Sequence, residues 1–382
     1  MPEPFSRGDF LNFYFWIKGF LNREHHGRAF SLLLLPFTIL SYLFAGFQLL
    51  KRTLYEAGIL PSRHAGVPTV CVGNITLGGT GKTPVVETVA RIFKNEGLRP
   101  AVISRGYGGT LEGRVAVVSD GETVKLSARE AGDEPLLHAK RLLSLGVPVI
   151  IGANRLKAAR EAVKNLKVSA LVMDDGFGHL RLKRDINVLI VDATRPFGNG
   201  FCLPRGILRE PLLALSRADI FVLTRTRGLG KDYLVQLRSR LGSYNPKAPV
   251  LTASHFPDHL ENPVTGESHP LKWLKGKKVV AFAGIGNPEA FFSDISVLGG
   301  TIVEQVSFPD HHDFSQADID RLVKFGRLTR ADALVTTQKD MQRVEAFLPL
   351  DTPVVSLNIN MKFEEGGEEA LAEKLREVIK SF

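Results

Sequence analysis

The sequence predicts an α/β protein with a mostly parallel sheet, divided into a larger and a smaller part behind a hydrophobic N-terminal helix. Three observations predict it. From about residue 66 onward, short apolar runs alternate with amphipathic stretches, the pattern of parallel strands covered on both faces by helices. A glycine-rich turn joins the first apolar run to the first amphipathic stretch. Residues 29–50, AFSLLLLPFTILSYLFAGFQLL, carry no charge at all.

Those 22 uncharged residues are long enough to span a bilayer. They do not form a good cleavable signal: the segment starts late, follows residues of both charge signs, and no A-x-A-like site comes after it. Ser31, Thr38, Ser41 and Gln48 fall within about 100° of one another at the helical period, a weak polar stripe. A helix lying in the interface is therefore the second reading, and a buried core helix the third. Pro36 is expected to kink or interrupt the helix. Residues 10–20 are rich in aromatics, as membrane-interface segments are. Basic residues flank both ends, so charge gives no orientation.

The following elements are read from periodicity. Strands are expected at 68–72, 101–104, 148–151, 169–173, 187–191 and 220–224. Helices are expected at 83–96, 128–145, 155–165 and 233–241. Residues 243–277 hold five prolines and little periodicity, which marks a boundary. Alternation then resumes, with strands at 279–283, 301–306, 333–336 and 354–357 and helices from 288, at 316–328 and at 368–379. The expected organisation is a membrane-associated segment (1–66), a core (67–242), a linker (243–277) and a C-terminal α/β domain (278–382).

Composition narrows the function classes. Of 382 residues, 44% are apolar and 23% charged, which excludes a disordered, collagenous or polytopic membrane protein. Two cysteines exclude a disulfide scaffold and cysteine-rich zinc sites, and fit a reducing compartment. The net charge of +9 is concentrated: residues 176–240 hold 12 Lys/Arg against 5 Asp/Glu. Most are arginines, whose guanidinium forks suit phosphate oxygens. A solvated basic face and a site for an anionic ligand or membrane surface are both compatible with that excess.

The strongest local signal is Gly73-Asn74-Ile75-Thr76-Leu77-Gly78-Gly79-Thr80-Gly81-Lys82-Thr83. It follows a strand and opens a helix. Its glycines let backbone N–H groups turn toward a phosphate at a helix N-terminus. The expected nucleotide cradle is Thr76, Leu77, Gly78, Gly79, Thr80, Gly81, Lys82 and Thr83, with Lys82 on the β/γ-phosphates and Thr83 on Mg²⁺. The usual spacing has Gly where Thr76 stands, so the loop is a variant. The 169–173 strand ends in Asp174 and Asp175, oxygen ligands suited to Mg²⁺. Together these two signals predict a phosphate-loop core that binds ATP or GTP with Mg²⁺.

These motifs, with others, resemble the tetraacyldisaccharide 4'-kinase family, the lipid A 4'-kinases of Gram-negative bacteria. The matching pieces are VGNITLGGTGKTP at 72–84, SRGYGG at 104–109, GDEP at 132–135, GANR at 152–155, DDGFGH at 174–179, PRGILREP at 204–211, FPDHHDF at 308–314 and TTQKD at 336–340. The resemblance implies transfer of the γ-phosphoryl group of ATP to the 4'-hydroxyl of a tetraacylated glucosamine disaccharide 1-phosphate, giving lipid IVA. It implies Asp133 and His311 as a catalytic dyad, and Arg209 and Glu210 at the active site, with Arg209 catalytic. Thr83, Asp174, Asp175 and Glu210 are the implied Mg²⁺ set. Asn74, Arg105, Tyr107 and Arg155 are the expected substrate-side residues. The family usually has Gln where Gly178 stands, so no role passes to that position.

Further expectations follow from the resemblance. The substrate is a membrane-embedded lipid A precursor, and the protein sits on inner-membrane lipid at the cytoplasmic face. No nucleic acid and no obligate protein partner are expected. From residues alone, Asp133-Glu134 reads as an ordinary acidic pair and His311 as a loop histidine. A membrane-associated switch or partitioning ATPase is the rival reading. It shares the phosphate loop but usually carries Lys where Leu77 stands.

Overall fold

The structure, a computed structural model, describes residues 34–310, 312–364 and 366–382, the side chain of His255 aside. The chain runs α1 (Leu35–Glu56), β1 (Thr69–Gly73), α2 (Lys82–Asn95), β2 (Pro100–Ser104), β3 (Ala116–Ser119), α3 (Ala128–Ala131), α4 (Asp133–Leu142) and β4 (Val149–Ile151). It continues through α5 (Arg155–Asn165), β5 (Ala170–Asp174), β6 (Ile186–Asp192), β7 (Ile220–Thr224), α6 (Lys231–Tyr244), β8 (Val250–Glu261) and β9 (Ser268–Pro270). Last come β10 (Lys278–Ala283), α7 (Pro288–Val297), β11 (Thr301–Ser307), α8 (Gln316–Thr329), β12 (Ala333–Thr337), α9 (Gln338–Val344), β13 (Val354–Phe363) and α10 (Gly367–Ile379).

Two compact units form, each discontinuous in sequence. The first takes residues up to 105, 154–253 and 363–382, and the second takes 106–153 and 254–362. In the first unit, parallel strands lie in the order β2-β5-β1-β6-β7-β8. β1, β2, β5 and β7 are buried along their whole length, which is why their sequences (TVCVG, PAVIS, ALVMD, IFVLT) lack alternation. α2 buries Val85, Val86, Val89 and Phe93. In the second unit, β11-β10-β12-β13 are parallel. Successive β10 residues face opposite ways. Val279, Ala281 and Ala283 pack with Phe291, Phe292 and Ile295 of α7. Val280 and Phe282 pack with Ile319 and Leu322 of α8 and Met341 and Val344 of α9.

Three expectations are corrected. The segment read as a linker contains β8, a 12-residue strand, and β9, which pairs antiparallel with the far end of β8. The single helix expected at 128–145 is broken at Gly132, whose φ of +90° no helix interior accepts. Asp133 and Glu134 therefore lie in the first turn of α4, where the helix dipole favours carboxylates. Pro36 does not interrupt α1 but sits at its start, where its missing N–H has no partner to lose.

The membrane reading is covered only in part by the described residues. α1 runs past the uncharged stretch into Lys51, Arg52 and Glu56, and among the described residues no helix is long and apolar enough to cross a membrane. Residues 29–33, with Ser31, and the aromatic segment at 10–20 lie outside the described residues. The polar stripe of α1 points inward. Ser41 is buried and donates to the Cys202 carbonyl at 2.8 Å, Lys51 to Gly178 O at 2.9 Å, and Arg52 to Leu213 O at 3.3 Å. The apolar residues Leu40, Tyr42, Leu43, Phe47 and Leu50 are exposed, as are Leu35, Phe37 and Ile39.

Gly132 and Gly242 should respond oppositely to alanine. A Cβ at Gly132 would lie 2.5 Å from the Tyr107 carbonyl, on a left-handed backbone, whereas Gly242 in α6 has open space. Gly132→Ala should destabilise by at least about 1–3 kcal/mol. Gly242→Ala should stabilise by about 0.5–1 kcal/mol. Urea midpoints of the two variants check both signs.

Candidate active site

In the first unit, β1 stops at Gly73, where a Cβ would lie 2.7 Å from that of Phe177. The chain then leaves the carboxyl end of the sheet. Asn74, buried, donates its amide to the Thr76 carbonyl at 3.0 Å. Leu77 N–H bonds Ile207 O at 2.8 Å, and Arg209 N–H bonds Ile75 O at 2.7 Å, so residues 75–77 run beside 207–209. Gly78 and Gly81 take φ of +105° and +82°, and the turn ends at Lys82, the first residue of α2. Thr80 is pinned by Thr224, whose hydroxyl donates to its carbonyl at 2.8 Å. Thr83 follows in the first turn of α2, and Gly79 has open space around it. The predicted loop is therefore one continuous strand–turn–helix feature at a helix N-terminus.

β5 brings the two aspartates to the same edge, because β1 and β5 pair with Val72 opposite Asp174. Asp174 is buried and accepts from Ser104 Oγ at 3.2 Å. Asp175 takes a left-handed φ of +48° and turns its carboxylate to Arg209. That guanidinium grips it bidentately, at 2.8 Å to each oxygen, and also bonds the Asn74 side chain. Lys82 Nζ stands 3.6 Å from Asp175 Oδ1 and 3.5 Å from Asn74 Oδ1. Burial works to raise the Asp175 carboxyl, but Lys82, Arg209 and Arg155 overcome it and hold it well below the usual carboxylate range. Arg155, buried at the first residue of α5, is lowered by burial and raised by Asp174 and Asp175.

Glu210 is paired with Arg217, whose guanidinium also covers the Phe177 ring at 4.2 Å. Among the described residues no three His, Cys, Asp or Glu side chains converge to hold a metal, so Asp174, Asp175 and Glu210 are not a preformed cluster. The oxygen-only donor set at this edge, with Thr83, fits Mg²⁺, which takes one or two carboxylates and fills its remaining positions from phosphate and water. Arg105 is exposed just after β2. Gly178, where the family's Gln is missing, is exposed, and a Cβ there would start 3.2 Å from Glu210 Oε1.

The second unit holds the remaining predicted groups. Tyr107 is exposed in the turn whose Gly109 packs against the Glu130 carbonyl, and Tyr107 O faces Gly132. Asp133 is ion-paired with Arg343 of α9. His311 lies outside the described residues. His312 is engaged elsewhere: its ring stacks on Phe308 at 4.6 Å, meets Phe314 edge-on at 5.1 Å, and hydrogen-bonds Asp318 at 3.1 Å. Sequence reasoning missed Ser104, Lys51 and Arg343, whose partners lie far along the chain, and did not single out Arg217, whose partner Glu210 is seven residues away. The only local signal for Arg343 is its place three residues after the TTQKD motif.

Known proteins resemble the chain over most of its length. The family model for "Tetraacyldisaccharide-1-P 4'-kinase" matches residues 31–380. A tetraacyldisaccharide 4'-kinase of Syntrophus aciditrophicus is 39% identical over 337 residues, covering 86% of this chain and 90% of that protein. One from Desulfatibacillum aliphaticivorans is 40% identical over 341 residues, covering 87% and 88%. Among solved structures, LpxK from Aquifex aeolicus in complex with ATP is 30% identical with a TM-score of 0.71, covering 91% of this chain and 98% of that one.

A pH prediction follows from His179. Burial, then Arg155, Arg184, Lys51 and Arg181, lower its imidazole from 6.5 to about 4, so it is neutral at pH 7. Between those values the unfolded chain binds a proton there that the folded chain refuses, and stability falls as the pH drops. His179→Asn should flatten stability against pH in that window by up to about one proton, with no change above pH 7. Urea titrations at pH 4.5, 5.5 and 7.5 test it.

Proposed function

Because the chain belongs to the tetraacyldisaccharide-1-P 4'-kinase family, we propose that it transfers the γ-phosphoryl group of ATP to the 4'-hydroxyl of a tetraacyldisaccharide 1-phosphate, giving lipid IVA in lipid A biosynthesis. One observation carries this reading for the chain itself. The Gly-Gly-Thr-Gly-Lys-Thr turn presents a helix N-terminus and Lys82 beside a carboxylate–guanidinium pair, Asp175 and Arg209. That is an anion cradle with an acid at its edge.

Phosphoryl transfer asks the protein chiefly for positioning and charge neutralisation. Backbone N–H groups of residues 78–83 and Lys82 hold the triphosphate. Arg209 already bonds both Asp175 and Asn74, so it places its charge where the γ-phosphoryl oxygens gather. Thr83 and Asp174, with Asp175 and Glu210, would hold Mg²⁺, which would supply neutralisation of the charge on the phosphates. The 4'-oxygen attacks the γ-phosphorus, and the bond to the bridging oxygen of ADP breaks. The hydroxyl proton passes to the Asp133 carboxylate, with His311 as its dyad partner. Arg155 and Arg105 supply cationic donors for substrate oxygens, and Tyr107 an aromatic surface.

The lipid side has its own support. The exposed apolar row on α1 is larger than scattered surface residues explain. Beside it a cavity of about 260 Å³ is lined by Tyr42, Ala45, Phe201, Pro211 and Leu213. A face of this kind supports peripheral attachment to lipid, and the lipid A substrate class favours the cytoplasmic side of the inner membrane of a Gram-negative cell, where a four-chain substrate stays anchored.

The central test is transfer from γ-labelled ATP to the tetraacyldisaccharide 1-phosphate in detergent micelles. Wild type should label the 4' position, and Lys82→Met should lose on the order of 10²–10³-fold in kcat. Asp133→Ala should lose about 10²–10⁴-fold. ATP hydrolysis without lipid labelling would instead point to a switch ATPase. For the apolar face, Leu43→Glu with Phe47→Glu should abolish co-sedimentation with anionic phospholipid vesicles while leaving ATP binding intact.

A further inference from the structure

We propose that Arg343 is a positioning residue of this kinase: one guanidinium ties Asp133 to the loop that carries His311. The inference rests on the assignment of Asp133 and His311 as the proton-handling pair. One arm of Arg343 ion-pairs with Asp133 Oδ2, and another donates to the His312 carbonyl at 3.1 Å. The two acceptors are far apart in the chain, at the first turn of α4 and in the loop before α8. A guanidinium is a planar fork whose donors point in fixed directions, so holding both acceptors sets their spacing.

The fork stands on a rigid base. α9 is capped at Thr337, whose hydroxyl accepts from the Asp340 N–H at 3.1 Å. Asp340, fully buried, accepts in return from the Thr337 hydroxyl at 2.7 Å and from the Gly284 N–H at 3.0 Å. Met341 and Val344 are packed in the core of the second unit. The side chain of Arg343 is itself only 10% exposed. The loop is anchored on either side of His311. Asp310 lies 3.7 Å from Lys339 of the same helix, and His312 is held by Phe308, Phe314 and Asp318. α9 thus touches both neighbours of His311 and, through Arg343, the carboxylate with which it must act. A misplacement of about 1 Å in such a pair costs on the order of 10²-fold in rate.

The test compares wild type, Asp133→Ala, Arg343→Met, Arg343→Lys and the Asp133→Ala/Arg343→Met double variant in the lipid-phosphorylation assay, with thermal midpoints and ATP affinity alongside. Arg343→Met should lower kcat about 10²-fold with the KM for ATP unchanged. Arg343→Lys, which keeps the charge but reaches only one acceptor, should recover part of that loss. In the Asp133→Ala background, Arg343→Met should cost little more. If Arg343→Met does not fold, Arg343→Lys decides: a folded lysine variant with reduced kcat and unchanged KM supports the proposal. Wild-type kcat in either folded variant, or additive losses in the double variant, overturns it. Full activity in Asp133→Ala is a separate failure, of the proton assignment itself.

Discussion

A carboxylate carried to the end of a buried parallel strand has to be neutralised where it stands. Asp175 meets that demand with Arg209 on both oxygens and Lys82 beside one of them. The pairing reaches well beyond the charge. Arg209 also bonds Asn74, so the phosphate turn, the end of β5 and the 204–211 segment are fastened to one another through one guanidinium. The backbone repeats the connection through Arg209 N–H on Ile75 O and Leu77 N–H on Ile207 O. A site that binds a polyanion is thus organised around an internal anion, which keeps the cations gathered and pointing the same way. Its geometry does not wait for the ligand to assemble it.

The second unit solves a related problem with the same chemistry. Asp133 lies at the start of α4 because Gly132 breaks the helical run, and Arg343 meets it there. Gly109, packed against the Glu130 carbonyl, and Gly132, packed against the Tyr107 carbonyl, let the two turns lie backbone to backbone. In both units an acid sits at a strand or helix terminus and an arginine comes to it from a distant segment.

This division explains what could be read from the sequence. Strands such as ALVMD and IFVLT are legible because burial on both faces removes every polar position. The phosphate turn is legible because its chemistry is confined to consecutive residues. β8 was missed because its sequence mixes a proline with histidines and acids, and only its first four residues belong to the first unit. The break at Gly132 did have a signal, a glycine followed by Asp-Glu-Pro, which is helix-start chemistry. The inward polar stripe on α1 was visible as a stripe but not in its direction, because which side of a helix meets protein depends on what surrounds it. Partners such as Arg343 for Asp133 carry no periodic mark, and only the neighbouring TTQKD motif points to that stretch.

The inward-facing polar residues of α1 make that helix an unsuitable target for deletion. Its attachments to the Cys202, Gly178 and Leu213 carbonyls run through Ser41, Lys51 and Arg52. A truncation that removed the greasy surface would also strip those acceptors of their donors, one of them in the Asp174–His179 loop. A form that dissolves without detergent is better sought by repainting the outer row residue by residue, leaving the inward-facing hydroxyl and cations in place.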